Sequence, residues 1–396
     1  LKLLIYTEYF LPVIGGVQTA VEVLARSLAT PSGAGSTADA AIEVKLVTRS
    51  KANGMNDSIV PYRVIRQPSF VQLVRLIREA DVIHVAGPCL IPLILGWFFR
   101  KLIVVEHHGY QAACPNGLLL FEPQKTPCPG YFMRKQHSKC LKCNSHNVGW
   151  IRSFALLLLT FPRRWLCQRI AVNVSITNHV GIRLALPRTR TIYYGINPVQ
   201  PRQHRNPSPV GEKLRIVFLG RLVAEKGVSI LLQSARLLYS GGYQFQLTLI
   251  GEGPEREGLE TLAKGLGIYD CVTFAGEMQR ADVDRTLLST DLVVMPSLWE
   301  ETTGLAAVEQ MMSGGVVIVA DIGGLAEVVG DAGLKFPSGN AEALYSCIRE
   351  IIDDGESIRR FGSAARERAL TLFSADRYVR EHALMYRELR EGLKHN

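Results

Sequence analysis

Arg215-Ile216-Val217-Phe218-Leu219-Gly220-Arg221-Leu222-Val223-Ala224-Glu225-Lys226-Gly227 is an apolar run, then a loop carrying two cations. A helical pattern follows over 228–239. A short apolar run closed by glycine and followed by helical periodicity predicts a buried strand feeding a helix. The alternation continues towards the C-terminus. Strands are expected at 245–250, 272–275, 291–295 and 316–320, and helices at 255–266, 280–289, 305–313 and 341–353. Towards the N-terminus the same pattern gives strands at 2–6, 43–48, 82–86, 102–106, 171–175 and 190–194. Helices are expected there at 17–29, 69–79, 89–100, 150–168 and 178–185. Strands alternating with helices predict parallel sheets built from βαβ units, in two doubly wound α/β domains.

The Pro-rich stretch 198–213 separates these domains. The expected map is 1–197, with a Cys-bearing insertion at about 112–148, then the linker, a second domain over 214–375 and a C-terminal helix over 376–396. Residues 30–40 read as a small, polar loop. With 396 residues, 47% hydrophobic and 20% charged, the chain is no disordered tail, collagen or coiled coil. Its net charge of +9 is polarised. Residues 1–211 hold 25 Lys and Arg against 9 Asp and Glu, whereas 212–396 hold 20 against 27. Residues 123–211 hold 14 cations and no carboxylate side chain. Such a half suits an anionic substrate, membrane surface or nucleic acid.

The most apolar runs, 89–99 and 154–161, are short for a membrane span. The start, Leu1 to Tyr6, reads as a strand rather than a signal peptide, with an initiator Met removed or unnumbered. The expectation is a cytoplasmic protein, peripheral on the inner face of a membrane.

Ligands of open α/β sheets bind beyond the carboxyl ends of the strands, and each chemical motif follows a strand end. Gly15-Gly16 lets backbone amides approach an anion at a helix start, although alone it reads equally as a tight turn. Arg221 and Lys226 sit where two cations can clamp a diphosphate; standing alone they would read as solvated loop charges. In Glu301-Thr302-Thr303-Gly304-Leu305-Ala306-Ala307-Val308-Glu309, two carboxylates bracket a helix start whose free amides favour phosphate. The plain alternative makes Glu301 a cap and Glu309 a surface charge.

Together these motifs resemble the family 4 (group 1) retaining glycosyltransferases of the GT-B fold. The resemblance covers nearly the whole chain. It rests on Gly15-Gly16-Val17-Gln18, Glu106-His107-His108-Gly109-Tyr110, Gly220-Arg221 with Lys226-Gly227, Gly251-Glu252-Gly253-Pro254, Glu301 with Glu309, and Gly314 with Gly323-Gly324 and Glu327. It implies two Rossmann-like domains facing a central cleft, with the C-terminal helix crossing back to the first. The first domain would be the acceptor side and the second would hold the nucleotide sugar. It implies transfer of a hexose-type sugar with retention and no cofactor required for catalysis. The donor would be UDP- or GDP-linked, and the acceptor an anionic or lipid-linked glycan in polysaccharide or glycolipid assembly.

The resemblance gives Arg221 and Lys226 to the diphosphate, Glu309 to the ribose, and Glu301 to hydroxyls of the transferred sugar. The amides of Gly304 and Leu305 would face phosphate or sugar oxygens, and the Gly15-Gly16 loop would close over the diphosphate. His108 would reach the donor sugar, with His107 as the alternative in register. Internal return is the expected course, with the leaving phosphate helping to deprotonate the acceptor. The sequence departs from the family at Thr303, where an aromatic residue or Cys is common, and at Gln310 and Tyr194, where Ala and Asn are common. Thr303 bears on the shape of the sugar pocket.

Four of the eight cysteines, Cys114, Cys128, Cys140 and Cys143, fall within 30 residues. Four thiolates can close a tetrahedral structural zinc site. Loop thiols and disulfides are the open alternatives. Cys89, Cys167, Cys271 and Cys347 read as core. The aromatic, apolar and basic segments 150–165 and 95–101 read either as buried helices or as an interfacial surface for anionic lipid. No nucleic-acid motif occurs. Two other functions fit the same donor motifs, a nucleotide-sugar epimerase and a non-catalytic nucleotide-sugar-binding scaffold at the membrane.

Overall fold

The computed structural model describes residues 1–13, 15–30, 42–202, 213–354 and 356–392. Most of the expected 30–40 loop, and 203–212 of the expected linker, lie outside the described residues. The chain forms two compact units. One comprises Leu1–Glu122, Cys128–Asn197 and Leu372–Asn396, the other Pro123–Pro127 and Pro198–Thr371.

The strands of the first unit's main sheet are β1 (Lys2–Thr7), β2 (Glu43–Thr48), β3 (Arg63–Arg66), β4 (Val82–Ala86) and β5 (Leu102–His107). Two short strands of the insertion follow, β6 (Leu120–Phe121) and β7 (Thr126–Pro127). The main sheet then continues with β8 (Val172–Ser175) and β9 (Thr189–Thr191). The helices are α1 (Gly16–Ala29), α2 (Phe70–Glu79), α3 (Leu90–Phe98), α4 (His137–Val148), α5 (Trp150–Cys167) and α6 (Asn178–Leu184). The main sheet runs in the order β3-β2-β1-β4-β5-β8-β9, with every pair parallel. Its central strands are buried along nearly their whole length. That is why they read as continuous apolar runs rather than alternating ones.

The second unit contains β10 (Leu214–Leu219), β11 (Phe245–Ile250), β12 (Val272–Gly276), β13 (Leu292–Met295), β14 (Val316–Ala320) and β15 (Leu334–Phe336). Its helices are α7 (Val228–Ser240), α8 (Arg256–Gly265), α9 (Arg280–Leu288), α10 (Leu305–Met312), α11 (Gly323–Val329), α12 (Ala341–Asp353) and α13 (Ser357–Leu372). Its sheet, β12-β11-β10-β13-β14-β15, is again parallel throughout. In each unit the strand order reverses once, between β1 and β4 and between β10 and β13. A doubly wound sheet opens a crevice at such a switch point. The glycine turn after β1 and the Gly220 and Ser297–Gly304 loops lie at these two places.

The last helix, α14 (Ala375–Gly392), belongs to the first unit. Its Tyr386 hydroxyl lies 2.8 Å from His84 Nδ1 on β4. The change of unit falls at Thr371/Leu372. Arg202, inside the expected linker, is built into the second unit. Its Nε donates to Ser313 Oγ at 2.9 Å and its Nη1 to the Thr290 carbonyl at 3.1 Å. Six elements were not expected from the sequence, the insertion's β6, β7 and α4 and three others. β3 is four residues, two apolar side chains between two Arg, β15 is three residues long, and α11 opens on two glycines, which are poor helix formers.

The Cys140-to-Cys143 knuckle is one turn of α4. Among the described residues no group of three or more His, Cys, Asp or Glu side chains is arranged to hold a metal ion. Asn116 stands between two of the four thiols, its Nδ2 donating to Cys143 Sγ at 3.8 Å. Cys114 Sγ donates to Asn116 Oδ1 at 2.9 Å, while Cys143 Sγ lies 3.4 Å from the Leu120 carbonyl. All eight cysteines are free thiols, which removes the disulfide alternative. Burial pushes Cys114 up to about 11 and Cys140 up to about 12, and the neighbouring Cys114, Cys128 and Cys143 add to the rise at Cys140. Of the four read as core, only Cys167 is fully buried.

Candidate functional site

In the second unit, β10 ends at Leu219, and the chain turns through Gly220 and Arg221 into a short helical turn, Ala224–Lys226. Gly227 closes it at φ +66°. A Cβ there would stand 2.0 Å from the carbonyl oxygen of Pro296, so only glycine lets this loop pack against the loop after β13. That close approach brings Lys226 to Glu301. Lys226 Nζ lies 2.9 Å from Glu301 Oε1, which also accepts from the Ser297 hydroxyl. Glu301 is only 5% exposed, and the lysine is the cation that makes its burial tolerable.

Gly304 precedes α10 in the left-handed conformation, at φ +75°. A Cβ there would meet Leu325 Cδ1 at 2.5 Å. The helix therefore starts directly beside Glu301, with Leu305 in its first turn. The first amides of a helix lack intrahelical partners and carry partial positive charge. The Thr303 hydroxyl is buried and has no hydrogen-bond partner in the structure. Lys226, Glu301, Thr303 and the α10 start thus form one constellation. Arg221 is exposed at its edge.

Glu309 lies one turn further along α10, on the face away from the buried Ala307, Val308, Met311 and Met312. It is held by Arg280, whose Nη1 lies 3.1 and 3.2 Å from the two carboxylate oxygens. Arg280, which the sequence reading did not single out, opens α9 far along the chain, and no spacing signal links it to Glu309.

In the first unit, Gly15 and Gly16 start α1, and Gly15 makes no side-chain cap. β5 ends at His107 and His108 follows it, and the two have opposite fates because successive residues of an extended chain face opposite sides. His107 Nε2 meets Asn173 Oδ1 at 2.9 Å in the core. His108 lines a cavity of about 390 Å³, together with Tyr9, Gln18, Arg49, Gln111 and Arg163. Its Nδ1 is hydrogen-bonded to the Tyr194 hydroxyl, and its ring stacks on that tyrosine with centroids 5.5 Å apart.

Beneath His108 lies Glu106, which is fully buried. It accepts from the Tyr378 hydroxyl at 3.0 and 3.2 Å, and His84 Nε2 stands 3.2 Å away. His108 Nε2 and His382 Nε2 follow at 3.7 and 3.8 Å. Burial alone would raise the Glu106 pKa. His108, His84 and His382 outweigh it and bring the carboxyl down to about 2. Burial pulls His107, His108 and His382 down to about 4, so these imidazoles are neutral at pH 7. Neither Glu106 nor Tyr378 was singled out as a site residue in the sequence; α14 brings Tyr378 in from 272 residues away.

Residues 199–368 match the model of the family "Glycosyl transferases group 1". This stretch makes up most of the second unit. The chain is 28% identical over 244 residues to a 2-deoxystreptamine glucosyltransferase of Streptomyces kanamyceticus, covering 57% of this chain and 61% of the relative. It is 26% identical over 309 residues to the amylovoran biosynthesis glycosyltransferase AmsK of Erwinia amylovora, covering 75% and 70%. Of the alpha-D-kanosaminyltransferase of S. kanamyceticus it spans only 45%.

Among solved structures, Anabaena HepE in complex with UDP superposes with a TM-score of 0.71 at 18% identity, covering 98% of this chain and all of that one. WaaG, a glycosyltransferase involved in lipopolysaccharide biosynthesis, gives 0.65 at 16%, covering 97% and 99%. The fold is GT-B, with two Rossmann-like units.

Proposed function

We propose that this chain is a retaining glycosyltransferase. It would move a hexose-type sugar from a UDP- or GDP-linked donor to a hydroxyl of an anionic or lipid-linked glycan, in polysaccharide or glycolipid assembly. Its place would be the cytoplasm, peripheral at a membrane. The observation that carries the reading is the Lys226–Glu301 pair beside the start of α10. A buried carboxylate, a cation and free helix amides together match a sugar carrying a diphosphate. The family match over 199–368 and the names of the relatives support it. HepE, also solved with UDP-glucose, supports a uridine donor.

In this reading the bond between the anomeric carbon and the phosphate oxygen breaks, and the nucleoside diphosphate leaves with the electron pair. Lys226, Arg221 and the α10 amides stabilise that charge, which grows towards the transition state. The acceptor hydroxyl forms the new bond on the same face and passes its proton to the departing phosphate. Glu301 Oε1 is already engaged by Lys226 and Ser297, which suits a carboxylate that positions sugar hydroxyls rather than one that attacks carbon. Glu309 and Arg280 would hold the ribose end. His108, neutral and stacked on Tyr194, would offer its ring to the donor sugar.

The test is a thermal-shift panel of nucleotide sugars followed by turnover. One UDP- or GDP-sugar should stabilise the protein selectively, and Lys226→Ala should abolish that shift. A covalent sugar adduct on Glu301 in a trapped complex would refute internal return. Sugar isomers released without acceptor would replace transfer by epimerisation. Tight donor binding without any turnover would leave a binding role.

A further inference from the structure

In the first unit, α3 and α5 pack together through Trp97 and Trp165, whose rings meet edge-on at 5.2 Å. Each helix presents an apolar stripe to solvent. On α5 it runs Ile151, Phe154, Leu158, Phe161 and Trp165, at steps of three and four residues. On α3 it runs Ile91, Ile94 and Phe98. These side chains are far from marginal, with Ile151 89% and Phe98 69% exposed. Residues at such steps share one helix face. Contiguous exposed apolar side chains of this kind mark an interaction surface. Next to the α5 stripe lies an open cavity of about 640 Å³, lined by Phe132, Phe161, Trp165 and Pro162 and edged by Lys135 and Arg164.

The charge around the stripes has one sign. Arg100 follows α3, Arg152 lies on α5 and Arg169 just beyond it, and Arg134 and Lys135 precede α4; all five are exposed. No Asp or Glu occurs between residues 123 and 211. No helix among the described residues is long and apolar enough to cross a membrane. An apolar stripe flanked by cations and aromatic rings on a helix too polar to span is the pattern of an interfacial helix.

We infer that the α3–α5 face docks in the plane of an anionic lipid bilayer, with the α5 stripe inserted among the acyl chains and the flanking cations on the headgroups. A second copy of this chain fits less well. It would bring the same cations against themselves, with no carboxylates on α4 or α5 to answer them. The inference deepens the membrane element of the proposed function and rests on it only there. Donor chemistry belongs to the other unit and is read separately.

The test is co-sedimentation of the full chain with phosphatidylcholine vesicles, with and without about 30% phosphatidylglycerol. The expected result is pelleting with the anionic vesicles, weakened by salt. Ile151→Glu with Phe154→Glu should weaken it at least about tenfold while leaving the melting temperature unchanged, since both side chains are exposed. Arg100→Ala and Arg152→Ala should each weaken it about fivefold on anionic vesicles only. These two give an independent reading if the glutamate variant fails to fold.

Absence of pelleting with either vesicle would overturn the inference. So would pelleting that the glutamates leave unchanged, or a wild-type dimer that they convert to a monomer, which would make the face a self-interface. Because nucleotide-sugar binding is measured on the same preparations, a protein that binds donor but no vesicle refutes the docking face alone.

Discussion

Each unit buries a glutamate beneath the mouth of its sheet, and the two are solved in opposite ways. Glu106 is enclosed by Tyr378, His84, His108 and His382, with nothing of it left at the surface. Glu301 has one lysine and one serine, and its lysine is partly open to solvent. A carboxylate surrounded by protein donors has no capacity left for a ligand. One with a single cation and neighbouring unpaired groups, such as the Thr303 hydroxyl, has capacity to spare. Glu106 is thus read as holding the histidine shelf in place, and Glu301 as meeting a substrate.

The sharpest way to break this contrast is Glu106→Ala. Stripping the carboxylate leaves Tyr378 and the imidazoles buried without their acceptor. It should cost about 3–5 kcal/mol of stability, read as a lower denaturant midpoint. Donor binding by whatever protein folds should be little changed. A mild stability loss with donor binding abolished would reverse the two roles.

Lys226→Ala comes next. Turnover should fall about 100-fold, roughly 2.7 kcal/mol at the transition state, because a preorganised charge facing the leaving diphosphate is lost. Its stability should change less than that of Glu106→Ala, as the site is partly solvated.

The third measurement is pH. Between about 4 and 6.5 the buried imidazoles of His107, His108 and His382 bind fewer protons folded than unfolded. Their contribution is complete above 6.5 and is lost as pH falls towards 4. Glu106, lowered from 4.5 to about 2, contributes above 4.5 and loses its share as pH falls towards 2. The first unit should therefore unfold at mildly acid pH before the second, as hydrogen exchange of β5 against β13 can show. Loss of both together would mean that the histidine shelf does not set acid stability.

The smallest effect is expected at Glu309→Ala. It removes one exposed carboxylate and frees Arg280, and should weaken donor affinity about tenfold, some 1.4 kcal/mol, with stability unaltered. An unchanged affinity would reduce the Arg280–Glu309 pair to a surface ion pair.

The parallel sheets were legible because their strands are buried on both faces, which writes uninterrupted apolar runs such as Leu292–Met295 into the chain. β3 was not, because an edge strand of four residues with Arg at both ends leaves no such run. The donor motifs were legible for a related reason. Gly227 and Gly304 occupy positions where a Cβ collides with Pro296 or Leu325, so the glycines themselves mark close approach. The cysteines stayed open in the sequence because a Cys-x-x-Cys spacing is the same text whether it coordinates a metal or only occupies one turn of a helix such as α4. The basic apolar segments were ambiguous until exposure was known, since the same stripe can face a core or a bilayer.

By itself the sequence determined the two α/β units, the order of their elements and the loops that carry Arg221, Lys226, Glu301 and Glu309, because periodicity and glycine positions are local properties. Only the tertiary structure decided which of His107 and His108 faces a cavity and that Arg280 holds Glu309. It also decided that α14 returns to the first unit to set Tyr378 against Glu106. Those pairings join residues tens to hundreds of positions apart, and their geometry follows from how whole sheets and helices pack, which no local pattern encodes.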